Sequence, residues 1–215
     1  MGPADQITLP EHAMDELARR VGAVLRGDHD GRGLRIGLAC ALFNGGVTWR
    51  LLQGAMAGLE RCGVDRRDVV VTWVPGAFEL PLAARALVTA RSVDAVVCLG
   101  AVIRGETGHY DLVAGGCATG IQQVQLDTGV PVVFGVLTTE NLDQALARSE
   151  VGEPTPGGPG VSTAVEPGDD PGGPGDNKGH ESAVTAVEMV RLLASSPMLA
   201  ARDADRRTVG VTPAR

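Results

Sequence analysis

The segment Leu99–Asp111, LGAVIRGETGHYD, runs from apolar residues straight into Arg104, Glu106, Thr107 and His109. Gly105 and Gly108 let the backbone come close to a ligand, and Thr107 offers a hydroxyl beside the N–H groups of a starting helix. Those are the parts of a phosphate-binding turn; they are equally the parts of an ordinary helix-capping turn. His109 can take up and return a proton near neutral pH, or serve only as a first-turn histidine bonded to a neighbour. Three other apolar runs end in comparable fashion, at Phe43–Asn44, at Gly76-Ala77-Phe78-Glu79 and at Thr138–Thr139. Two of the three phenylalanines, Phe43 and Phe78, fall at such ends rather than inside an element, which favours a ligand with a flat face. Glu79 suits either the dipole of its helix or the hydroxyls of a ligand. Arg148 and Lys178 flank a Gly/Pro-rich stretch, where solvated surface charge is the ordinary role. No Ser-His-Asp arrangement, metal cluster or long phosphate loop is visible, so neither a metal nor a cofactor is expected. With no protein nucleophile evident, a reaction in which one substrate attacks another fits best.

These groups need a frame, and the pattern supplies one. Leu34–Leu42, Val69–Val74, Val93–Ile103 and Val130–Leu137 are apolar runs of strand length. Between them come helical patterns: one capped by Thr48 and ended by Gly63, one from about Glu79 to Ala90, one over His109–Thr128, and one from Thr139 to about Ser149. Near-continuous apolar strands alternating with helices predict a parallel sheet buried on both faces. The expected fold is therefore an α/β three-layer sandwich with four parallel strands, flavodoxin-like. In such a sheet, ligands bind outside the carboxyl ends of the strands, where the groups above fall. After Asn177-Lys178-Gly179 a further helix carries Ala183, Val184, Val187, Val190 and Leu193 as an apolar stripe, closed by Pro197.

The 215 residues suit one domain with additions. Residues 1–33 read as an extension whose stretch Glu11–Arg26 suits either an amphipathic helix docked on the body or a partly ordered segment, 34–196 as the body, and 197–215 as a flexible tail. The stretch 151–176 holds 8 Gly, 6 Pro and five acidic residues without Lys or Arg, and reads as a disordered insert. It accounts for −5 of a net charge of −7, which leaves no basic surface for nucleic acid or anionic membrane. The cysteines Cys40, Cys62, Cys98 and Cys117 form no CxxC pair, as expected of reduced, buried thiols. Met1–Gln6 lacks the positive start of a secretory leader, and Ala95–Ile103, the longest apolar run, is too short to span a bilayer. A soluble cytoplasmic protein is expected.

Taken together, the pieces FNGGVT (43–48), VPGAFELP (74–81), LGAVIRGETGHYDLVA (99–114), PVVFGVLTTEN (131–141), QALAR (144–148) and NKGHE (177–181) resemble the lumazine synthase family. Their order and spacing match from Leu34 to Ser196. The resemblance implies condensation of 5-amino-6-ribitylaminouracil with 3,4-dihydroxy-2-butanone 4-phosphate to 6,7-dimethyl-8-ribityllumazine, phosphate and water, in riboflavin biosynthesis. It implies that Phe43 stacks on the pyrimidine with Asn44 nearby, that Ala77, Phe78 and Glu79 line a ribityl pocket, and that Val102 and Ile103 meet the pyrimidine edge. Glu106 and Thr107 would hold the phosphate, and His109 would be the general acid/base. It further implies a site between two subunits, with Phe134, Arg148 and Lys178 supplied by the neighbour. An obligate homo-oligomer built on pentamers follows from that, and association with riboflavin synthase is a further implied partnership.

Two departures stand out. The family joins the equivalents of Arg148 and the NKG turn by a few residues, where this chain adds roughly twenty. An acidic insert at that place argues for pentamers or paired pentamers over a closed sixty-subunit shell. Leu42 also replaces the basic residue usual before Phe-Asn. A riboflavin synthase of the same fold, and a non-catalytic flavin-binding or scaffold relative, are the alternative readings.

Overall fold

Strands made of Val, Ile, Leu, Ala and Cys with no polar alternation have no face to offer water, so they must be covered on both sides. In the computed structural model, which describes residues 11–90, 93–151 and 177–195, four such runs form one all-parallel sheet. These are β1 (Ile36–Ala41), β2 (Val69–Val74), β3 (Ala95–Ile103) and β4 (Val132–Thr139), in the order β2-β1-β3-β4. The central strands β1 and β3 are buried along almost their whole length, whereas the edge strands β2 and β4 are partly exposed.

Among the described residues, six α-helices accompany the sheet: α1 (Glu11–Ala18), α2 (Gly45–Arg61), α3 (Leu80–Thr89), α4 (His109–Thr128), α5 (Leu142–Ala147) and α6 (Lys178–Ser195). Leu38, Cys40, Val97 and Leu99 on one sheet face pack with Leu51, Leu59, Ala183 and Val187 of α2 and α6. Ala39, Val96 and Cys98 on the other face pack with Leu80, Ala84, Cys117 and Ile121 of α3 and α4. The result is the expected three-layer, flavodoxin-like sandwich. No helix among the described residues is long and apolar enough to cross a membrane.

The elements follow the sequence pattern, with differences at their caps. Asn44, not Thr48, precedes α2: it adopts a left-handed conformation (φ 58°), and its Nδ2 donates to the Ala101 carbonyl at 2.9 Å. Asparagine tolerates that conformation better than most residues, so the helix starts four residues sooner than a Thr48 cap predicts and Thr48 is buried inside it. Asn141, not Thr139, caps α5, its side chain accepting from the Gln144 amide at 2.9 Å, while Thr139 continues β4. The N-terminal helix ends at Ala18, well short of Arg26. Instead of docking as a helix, the chain beyond it packs irregularly against α6, where the Arg191 guanidinium donates to the carbonyls of Asp30 and Arg32. The predicted tail 197–215, its Pro197 and nearly all of the 151–176 insert lie outside the described residues.

Where the chain resumes, it is held tightly. Ser149 and Asn177 pair as an antiparallel bridge, and the Lys178 amide donates to the Arg148 carbonyl at 3.0 Å. Asn177 is buried and uses its whole side chain: Nδ2 donates to the carbonyls of Arg50 and Glu150, and Oδ1 accepts from the amides of Gly179 and His180. Gly54 of α2 makes the room, since any Cβ there would collide with the Asn177 carboxamide. Arg50 adds a bond from its Nε to the Ser149 carbonyl at 3.1 Å. Both ends of the insert therefore leave the fold from one joint.

Asn177→Ala strips four backbone groups of their partner and should lower the unfolding free energy by about 2–4 kcal/mol in denaturant melts. Deleting Gly152–Gly175 leaves the joint's bonds in place and should change it by no more than about 2 kcal/mol, the scale of loop closure for that difference in length. The thiols offer a second check. All four cysteines are free and buried; burial pushes Cys40 and Cys117 up to about 12, Cys62 to about 11, and Cys98 higher still. A thiol reagent at mildly alkaline pH should therefore label none of them in the folded protein and all four after unfolding.

Candidate active site

Three strand ends converge on one side of the sheet because β1, β2 and β3 are parallel neighbours. β3 delivers Ala101, Val102 and Ile103. β2 stops at Pro75, and a 3-10 turn over Ala77–Glu79 leads into α3, with Pro81 tolerated in the first turn. β1 is knitted to that exit by two bonds, from the Leu42 amide to the Val74 carbonyl and from the Phe43 amide to the Pro75 carbonyl. The left-handed Asn44 then swings the chain into α2 and leaves Phe43 projecting, 72% exposed.

Between these ends lies a cavity of about 750 Å³, a size suited to a small organic ligand. Ala101, Val102 and Ile103 line it on one side and the β2 exit, Pro75–Glu79, on another. The loop residues Gly105 and Thr107, with His109, Tyr110, Leu112 and Val113 of α4, line a third, and Phe43 completes it. Phe78 lies against α4 at Gly116, where an added Cβ would sit 2.7 Å from the ring. Gly120 gives Pro81 the same clearance one turn later. A larger side chain at Gly116 would push Phe78 out of the wall.

The loop from Arg104 to Gly108 has an unusual hydrogen-bond inventory. The Arg104 amide donates to the Thr139 carbonyl at 2.9 Å, and the His109 amide lies 3.4 Å from Thr107 Oγ1. Among the described residues, nothing accepts from the amides of Gly105, Glu106, Thr107 or Gly108. Four consecutive donors at the head of a twenty-residue helix are a ready partner for an anion. Among the described residues, the titratable groups lining the cavity are Glu79, His109 and Tyr110, and no lysine or arginine lines it.

Of the residues singled out in the sequence, Phe43, Ala77, Phe78, Glu79, Val102, Ile103, Thr107 and His109 all line this cavity. Asn44 stands behind it, one N–H of its side-chain amide donating to the Ala101 carbonyl. Glu106 sits exposed on the loop between Gly105 and Thr107, outside the lining. Phe134, Arg148 and Lys178 do not line the cavity of their own chain. Phe134 is 39% exposed on the edge strand β4, and Arg148 and Lys178 are neighbours at the joint, Lys178 facing Glu181 at 2.8 Å.

Tyr110, Leu112 and Val113 were not singled out in the sequence. Leu112 and Val113 follow His109 by three and four residues, which puts them on the same helix face, and Tyr110 is the only tyrosine in the chain. Those two signals were available.

Residues 33–194 match the family model described as 6,7-dimethyl-8-ribityllumazine synthase.

Proposed function

The chain belongs to the 6,7-dimethyl-8-ribityllumazine synthase family, transferases of riboflavin biosynthesis, and we propose that it carries out that family's reaction in this cavity. The substrates are 5-amino-6-ribitylaminouracil and 3,4-dihydroxy-2-butanone 4-phosphate. The observation that carries the proposal is the convergence of His109, Thr107, Glu79, Phe43 and Phe78 on one cavity beside four amides that donate to no group among the described residues.

The pyrimidine amine attacks the ketone carbonyl, so no protein nucleophile is needed, in keeping with thiols that are all buried away. Imine formation expels water, loss of phosphate follows, and attack by the ribityl-bearing nitrogen closes the ring with further dehydration. Each step moves a proton at a held position. His109 at the cavity wall is the group that takes and returns it. Phe43 stacks on the pyrimidine, Val102 and Ile103 meet its edge, and Ala77, Phe78 and Glu79 receive the ribityl chain, Glu79 accepting from its hydroxyls. Thr107, with the amides of the Gly105–Gly108 turn including that of Glu106, holds the phosphate.

A phosphate dianion without a cation is poorly compensated, and the described lining supplies no lysine or arginine. Arg148 and Lys178 project elsewhere on the chain, as does Phe134. In a ring of identical chains, one copy's Arg148, Lys178 and Phe134 complete the cavity of the next, which is a heterologous contact that closes. Phe43, Phe78 and Leu112, all more than half exposed at the rim, are then covered by substrate and neighbour. The proposed assembly is a pentamer or paired pentamers in the cytoplasm.

Mixing the two substrates with the protein should produce the lumazine absorbance with release of phosphate; no product would overturn the reading, and conversion of lumazine to riboflavin instead would indicate the second enzyme of the same fold. His109→Ala should slow turnover by about 10²–10⁴-fold with assembly intact. Arg148→Ala should raise KM for the phosphorylated substrate without lowering the melting temperature. Co-assembling His109→Ala and Arg148→Ala chains in equal amounts should restore about one quarter of the sites, the half-times-half chance that two adjacent chains each bring an intact residue. No recovery would mean that each chain completes its own site.

A further inference from the structure

Arg104 lies one residue before the loop of unpaired amides, and its side chain connects three elements. Its Nε donates to both carboxylate oxygens of Glu140, at 3.1 and 2.9 Å, beyond the end of β4. Its Nη1 reaches Asp111 Oδ1 at 3.4 Å, and its guanidinium carbon stands 4.0 Å from the ring centroid of Tyr110. Tyr110 and Asp111 directly follow His109 in the first turn of α4. Glu140 is in turn secured by its own amide, which donates to Gln144 Oε1 at 3.0 Å in α5.

Without this side chain the loop is weakly constrained. It contains two glycines, which cost more than other residues to order, and its amides from Gly105 to Gly108 make no bond to any described residue. Neither Arg104 nor Glu140 lines the cavity, so neither is placed to touch substrate. Ion pairs this exposed add little to stability. What several contacts on one planar cation can do is fix direction: stacking on Tyr110 while Nε and Nη1 point to different carboxylates is open to arginine and closed to lysine.

We infer that Arg104 is a positioning residue, clamping the first turn of α4 to the end of β4 and thereby setting where His109 stands at the cavity wall. The inference rests on the proposed acid/base role of His109, and Glu140 acts only through Arg104.

A double-mutant cycle tests it. Arg104→Ala and Glu140→Ala should each lower kcat about ten-fold with KM for both substrates within about threefold, the scale of a small misplacement of a reacting group. The double variant should be no slower than Arg104→Ala alone, and Arg104→Lys should not recover the rate. Melting temperatures should stay within about 2 °C of the unaltered protein. Wild-type kcat in Glu140→Ala, or fully additive losses in the double variant, would overturn the inference. Hydrogen exchange over residues 109–113 gives a readout that needs no substrate: it should quicken in both single variants and no further in the double. Unchanged exchange in Arg104→Ala also overturns the inference, whereas absence of lumazine from the unaltered protein would overturn only the assigned reaction and leave exchange to decide the clamp.

Discussion

β3 pairs on both sides, with β1 through Ile36–Cys40 and with β4 through Val132–Thr139, and its side chains from Ala95 to Val102 are all buried. A strand so placed has one exit for polar residues, its carboxyl end. Parallel neighbours bring their own ends to the same side, and helices α3 and α4 must cross back over the sheet from there. The cavity is a consequence of that constraint: the two layers part where the strands stop, and what stands there is whatever the loops carry. Ala101 links the parts directly, its carbonyl accepting from the Asn44 side chain while the residue also lines the cavity.

The loops divide the work by chemistry. The β1 and β2 exits contribute large apolar surfaces and one carboxylate, tied together by backbone bonds and seated against small residues of α4. The β3 exit contributes amides, a hydroxyl and an imidazole on a loop with little internal bonding. Such a loop keeps its donors available because none of the described residues uses them, and for the same reason it depends on side-chain contacts at its margins. Arg104 is where those contacts gather. The arrangement trades local stability for unspent hydrogen-bond capacity, as binding loops commonly do.

The joint around Asn177 explains how a long acidic addition coexists with the family fold. Among the described residues, its bonds run between α2, the end of α5 and the start of α6. Arg148 and Lys178 stand at its two strands, joined by a backbone bond. Their spacing is thus set by the joint and not by the length of chain between them.

Much of this was legible in the residues alone. The strands β1 to β4 are visible as apolar runs because burial on both faces leaves no choice of side chain, and α4 is visible from His109 to Thr128 because a strong turn signal precedes it and Gly129 ends it in a left-handed conformation. The cluster of chemical groups at strand ends is likewise a property of order along the chain. The caps were not legible: Thr48 and Thr139 are good cap residues by type, as are Asn44 and Asn141, and only the fold decides which N–H groups lack partners and whether a left-handed Asn44 finds the Ala101 carbonyl. Nor could the pattern tell that Glu140, thirty-six residues from Arg104, meets it across the β3–β4 pair, or that Asn177 fits the space above Gly54. Periodicity encodes which side of an element is apolar; it carries no information on which two distant polar groups will share a hydrogen bond, because that depends on register and crossing geometry fixed only when the layers pack.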